Sequence, residues 1–160
     1  RIVAFMDPKV DPQGVGYHIR QSKVTIGSGG LTGKGYMKGT QGPLRFLPEK
    51  HTDFIFAIFA EEWGFVGSLI LFLFYLFIIL RGFDTARKAR DLEGAYLSAG
   101  ITFMFTFYFL INAGMTMGMT PVVGAPLPLM SYGGTALLSN FLSLALIENV
   151  RMRRLPNPFN

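Results

Sequence analysis

Between Glu93 and Glu148 the chain runs for 54 residues without a single Asp, Glu, Lys or Arg. A hydrocarbon core about 30 Å thick takes about 20 apolar residues per helix. The run is therefore long enough for two membrane spans and a neutral loop between them. A further apolar run, Phe54 to Leu80, has Glu61 and Glu62 as its only charges and supplies a third span. Composition agrees, with 50% hydrophobic and 16% charged residues in a chain of 160, a balance that favours a membrane protein over one soluble domain. With no cysteine, disulfides, thiolate nucleophiles and most zinc sites are excluded. The chain opens on Arg1 and shows no cleavable signal pattern, so it reads as a fragment.

The expected fold is an all-α polytopic membrane protein. Spans are placed at 64–80, starting as early as 54, at 95–117 and at 132–148, the last extending to 150 as a segment. Residues 1–50 form a polar, glycine-rich arm with eight Lys or Arg. Within the arm, VGYHIRQSKVTI is expected to be a short surface helix and IGSGGLTGKGYMKGTQG a loop. Between the last two spans, TPVVGAPLPLMSYGG holds three prolines that forbid a regular helix, and Gly133 and Gly134 allow a close turn into the final span. The connector 81–94 carries Arg81, Arg87, Lys88 and Arg90, and the tail 151–160 carries Arg151, Arg153 and Arg154. Two spans separate these basic segments, so they share a side, and the positive-inside rule makes that side cytoplasmic. The arm then lies outside with the loop 118–131, and its basic charge suggests an anionic ligand there.

The stretch PEKHTDFIF concentrates titratable side chains at the start of the first span. Asp53 has two readings. A carboxylate there can cap the helix and complement its dipole, or it can do chemistry at the membrane surface. Glu61 lies about 80° around a helix from Asp53 and Glu62 about 180°, so at most one shares its face. Residues 52–63 then read as an interfacial helix with Trp63 at headgroup level, both glutamates in water, and the span proper beginning at Gly64. The alternative buries one glutamate inside the bundle, where it requires a partner. Asn112 reads as an interhelical hydrogen-bonder, and Glu148 as a boundary residue beside Arg151. GSGGLTGKG fails as a phosphate loop on spacing, because Ser28 stands where the first glycine belongs and Gly35 where Ser or Thr must follow the lysine. His18 and His51 are 33 positions apart and make no zinc pattern; His51 is expected to orient its polar neighbours.

Three longer segments carry more than periodicity can: GYHIRQSKVTIGSGGLTGKG, GTQGPLRFLPEKHTDFIFAIFAEEWGFVG and PVVGAPLPLMSYGGTALLSN. Together they resemble the C-terminal part of the SEDS family (shape, elongation, division and sporulation), on its elongation rather than its division branch. Trp63 departs from the leucine expected after the paired glutamates. The resemblance implies a ten-helix bundle, of which this chain would hold the end of the seventh helix, a large extracytoplasmic loop within residues 1–51, and three transmembrane helices after it. It implies a peptidoglycan glycosyltransferase of the bacterial cytoplasmic membrane that joins lipid II into glycan strands and releases undecaprenyl pyrophosphate. The family's essential aspartate maps onto Asp53, which becomes the expected catalytic base.

A sugar hydroxyl attacking an anomeric carbon needs a base within hydrogen-bonding distance, whereas the pyrophosphate leaving group needs cations rather than an acid. Lys34, Lys38, Arg45 and Lys50 are the candidate cations, and Glu49 and His51 complete the expected substrate-binding set. No protein metal site is expected, although a divalent cation, Mg or Mn, could share the neutralisation. The expected partners are lipid II and the growing lipid-linked glycan, a class B penicillin-binding transpeptidase, other membrane proteins of the elongation machinery and the membrane itself, with no nucleic acid. The rival functions are a lipid II flippase and a non-catalytic scaffold. With about seven family helices absent, this chain alone is expected to be inactive.

Overall fold

The computed structural model describes residues 15–39 and 53–154, and every regular element among them is an α-helix. These are α1 (Val15–Ser28), α2 (Ile55–Arg87), α3 (Leu92–Thr116) and α4 (Gly134–Arg153). The all-α expectation holds, and α1 occupies the segment read as a short surface helix. Helix α2 is 33 residues long, starts within the early limit expected for its span and overruns it at the C-terminal end, leaving residues 88–91 as the link to α3.

Helix α2 is broken once, at Gly64, where φ is 67° and ψ is −162°. That backbone conformation is open essentially to glycine alone. The break separates the carbonyls of Glu61 and Glu62 from the N–H groups of Phe65 and Val66, which would bond them in a continuous helix. The glycine-rich turn after α1 fills the gap. Lys34 and Gly35 donate their N–H groups to the carbonyls of Glu61 and Glu62 at 3.0 and 2.9 Å, while Phe65 and Val66 donate to Gly30 and Leu31 at 2.9 and 3.1 Å. Two lost helix bonds are thus replaced by four bonds to another segment, and all four freed backbone groups are paired. A side chain would not fit the contact: a Cβ on Gly33 would lie 2.1 Å from the Glu62 carbonyl oxygen. Gly29 and Gly33 of GSGGLTGKG therefore serve a close backbone approach to α2.

Helices α2 and α3 pack through small polar residues and one aromatic cluster. Thr85, Ser98 and Thr102 are buried, and the Thr85 and Thr102 hydroxyls bond carbonyls of their own helices, at Arg81 and Ser98. Nearer the other end, Phe56, Tyr75 and Leu127 form the core, with Phe72 and Phe109 against them. The Tyr75 ring stacks on Phe109 with centroids 4.6 Å apart, and its hydroxyl donates to the Pro128 carbonyl. This bond ties the proline-rich loop to α2. Replacing Tyr75 with Phe leaves that carbonyl unpaired and is expected to destabilise the protein by about 1 kcal/mol. Thermal unfolding in detergent, compared with wild type, measures the change.

Among the described residues two helices, α2 and α3, are long and apolar enough to cross a membrane, and only 17% of the most apolar window of each is buried. Their outward Phe, Leu and Ile side chains require lipid or further helices around them. Helix α4, in the third expected span, does not meet the same measure. The reason is local: α4 carries Ser139, Asn140 and Ser143 and ends in charge from Glu148 onward. At that charged end, Arg154 lies 3.9 Å from Asp84, which also pairs with Lys88 at 2.7 Å. The basic connector and the basic tail therefore do meet on one side.

Candidate functional site

At the opposite end of the bundle the chain enters α2 through Asp53 and Phe54. Phe54 holds the N-cap position and makes no side-chain cap, and Asp53 stands one residue before it. Asp53 therefore sits one position outside the N-cap residue. Phe54 is buried, with its ring centroid 6.4 Å from that of His18 on α1. This anchors the start of α2 while Asp53 itself is half-buried.

Asn112, fully buried on α3, fixes the backbone at this point. Its carboxamide donates one N–H to the Asp53 carbonyl at 3.0 Å and the other to the Ala125 carbonyl at 2.7 Å. The proline-rich loop is thereby drawn across the start of α2. Gly124, with φ 74°, runs so close to the aspartate that a Cβ there would lie 3.3 Å from Asp53 Oδ2. One turn further along α3, Thr116 Oγ1 bonds the Asn112 carbonyl at 2.9 Å, and Ser22 of α1 donates its hydroxyl to the Thr116 carbonyl at 2.8 Å. Three helices and one loop converge on the residue read from sequence as the base.

The paired glutamates behave differently from the interfacial reading. Glu61 is not in water: it is completely buried, and Lys34 reaches it with Nζ 2.6 Å from Oε1. The same amine donates to Ser28 Oγ at 2.9 Å. The buried-carboxylate alternative is the correct one, and it comes with its partner. A buried carboxylate without a counter-charge is strongly unfavourable, so Lys34 first neutralises Glu61. Lys34 is thus tied about two helical turns away from Asp53. Lys38 lies exposed on the turn that follows, its N–H donated to the Gly35 carbonyl. Arg45, Glu49, Lys50 and His51 fall outside the described residues.

Two participants were missed or undervalued in the sequence. Asn112 was legible only as the lone carboxamide in 95–117, and its bonds run to main-chain carbonyls rather than to another helix. Gly124 gave no signal beyond being a glycine in a proline-rich loop. An apolar groove of about 260 Å³ runs beside the kink, lined by Ile26, Phe56, Phe65, Leu69 and Phe72 among others. Among the described residues, no three His, Asp or Glu side chains come together as metal ligands.

Comparison with known proteins bears on this geometry. The family model of the cell cycle proteins FtsW, RodA and SpoVE matches residues 1–155. The peptidoglycan glycosyltransferase MrdB of Escherichia coli K12 is 48% identical over 154 residues, which is 96% of this chain and 42% of MrdB. The peptidoglycan glycosyltransferase RodA of Treponema pallidum is 45% identical over 97% of this chain and 36% of its own length. Among solved structures, a chain of a peptidoglycan synthase complex, studied for how it coordinates polymerization and crosslinking, superposes with a TM-score of 0.79 at 31% identity, covering 98% of this chain and 42% of that one. The chain spans less than half the length of the relatives it matches.

Proposed function

Because the chain belongs to the cell cycle protein family of FtsW, RodA and SpoVE, we propose that it forms the catalytic end of a peptidoglycan glycosyltransferase, a polymerase of rod-shape elongation that uses lipid II. The observation that carries this reading is the placement of Asp53. A half-buried carboxylate stands where α2 emerges from the apolar bundle, its main chain fixed by Asn112 and its side chain beside Gly124. A substrate whose tail stays in lipid and whose sugars stay in water meets the protein at such a boundary.

In the proposed reaction, the acceptor sugar hydroxyl attacks the anomeric carbon of the donor. Asp53 takes the hydroxyl proton, the new glycosidic bond forms, and the bond to undecaprenyl pyrophosphate breaks with its electron pair leaving on the pyrophosphate. Lys38, Arg45 and Lys50 are the proposed cations for that leaving group, Glu49 and His51 complete the proposed substrate-binding set, and Lys34 assists the approach from its place on Glu61. Mg or Mn, where it takes part, would arrive with the pyrophosphate, whose oxygens are its natural ligands. The apolar groove beside the kink offers hydrocarbon contact to a polyprenyl tail. The chain would sit in the bacterial cytoplasmic membrane with Asp53 outside, working beside a class B penicillin-binding transpeptidase and other elongation proteins.

A flippase would line a path near the bilayer midplane with polar groups. Here the buried Thr85 and Thr102 hydroxyls bond their own helices. The test is lipid II polymerisation by the full-length protein with its transpeptidase partner in detergent, where there are no two sides to move a substrate between. Glycan strands are the expected product. Active transport of lipid II in vesicles with no glycan formed in detergent would overturn the reading.

A further inference from the structure

We infer that Asn112 is a positioning residue for catalysis, setting Asp53 and the loop facing it with one carboxamide; the inference rests on the reading of Asp53 as the base. A residue that only glues helices together would bond a neighbouring helix. Asn112 instead spends both N–H groups on main-chain carbonyls, those of Asp53 and Ala125, which are 59 and 13 positions away in the chain. The orientation of the amide follows from its partners, because a flipped amide would turn its oxygen onto two carbonyl oxygens.

Ala125 is the neighbour of Gly124, whose backbone passes beside Asp53 Oδ2. A single side chain therefore fixes both the main chain from which the carboxylate hangs and the surface against which it rests. Asn112 has little freedom of its own. It is fully buried on α3, and its main-chain carbonyl is bonded by Thr116. Its Oδ1 is buried with no hydrogen-bond partner among the described residues. A buried carboxamide with one polar atom unsatisfied among the described residues calls for an explanation, and a positioning role is one. A displacement of the base by about 1 Å is enough to slow a reaction by about 100-fold.

The test uses the full-length protein in the lipid II polymerisation assay, with rates expressed per folded molecule. Asn112→Ala removes both donors, and Asn112→Asp keeps the shape while replacing the N–H pair with acceptors. Both are expected to lower kcat by about 10- to 100-fold with KM for lipid II within about threefold of wild type, since the substrate contacts are untouched. Wild-type kcat per folded molecule in both variants, or a change confined to KM, would overturn the inference. Failure of both variants to fold would also overturn it, because Asn112 would then be a folding residue. Asp53→Ala is assayed in parallel. An active Asp53→Ala protein removes the base reading and this inference with it, whereas an inactive one beside wild-type-like Asn112 variants removes the inference alone.

Discussion

Gly64→Ala is expected to destabilise the folded protein by about 5 to 7 kcal/mol, enough to deplete it at ordinary temperature. A non-glycine residue in this backbone region is strained by about 1–3 kcal/mol. The new Cβ would also lie 2.3 Å from the Gly33 nitrogen and 2.8 Å from the Leu31 carbonyl oxygen. The docked turn must then withdraw, and it takes with it four hydrogen bonds worth about 1 kcal/mol each. Total stability of a domain is commonly about 5–15 kcal/mol, so the loss is a large share. Gly100→Ala is the contrast, since no heavy atom lies within 4 Å of its Cβ position and its helix gains from alanine. Melting in detergent should fall sharply for the first and hold or rise for the second. Amide exchange at Phe65 and Val66 should quicken only in the first. A Gly64→Ala protein that melts like wild type would mean that the glycine-rich turn does not support the break in α2.

The same break shows why part of the fold was legible and part was not. The uncharged run between Glu93 and Glu148 and the prolines at 121, 126 and 128 located α3, the loop and α4, because these are local effects of hydrophobicity and backbone chemistry. The connector and tail were placed on one side by charge alone, and Arg154 does meet Asp84. Gly64 looked like the start of a span. It is the hinge of a longer helix, because its partners Gly30 to Gly35 lie about 30 positions upstream and periodicity within one helix cannot register them. Glu61 and Glu62 are equivalent in composition, and only the approach of Lys34 decides that Glu61 goes inside. The glycine-rich segment could be rejected as a phosphate loop on spacing, yet nothing in it announced a helix as its target. Asn112 bonds carbonyls, which carry no residue signature, so its link to Asp53 was hidden even though both residues stood out. Helix α4 occupies the third expected span, and its Ser and Asn residues lower its apolarity without adding charge.

Asp53→Ala and Asp53→Asn are expected to abolish glycan synthesis while leaving the fold in place. A positioned general base contributes about 10²- to 10⁴-fold to rate, and asparagine cannot take the proton despite its near-identical shape. The fold should tolerate both changes because Asn112 holds Asp53 by its main-chain carbonyl, which neither substitution removes. Phe54 stays buried beside His18 and itself occupies the N-cap position. Loss of activity in these variants therefore reports chemistry rather than unfolding. The alternative reading, in which Asp53 only complements the helix dipole, predicts a small stability change of about 0.3–1 kcal/mol and intact catalysis.

The most direct measurement is lipid II polymerisation by equal amounts of folded full-length protein with its transpeptidase partner, comparing wild type with Asp53→Ala and Asp53→Asn. Glycan strands from wild type and less than about 1% of that rate from either variant is the predicted result. Equal glycan from all three proteins would contradict the account and place the base elsewhere.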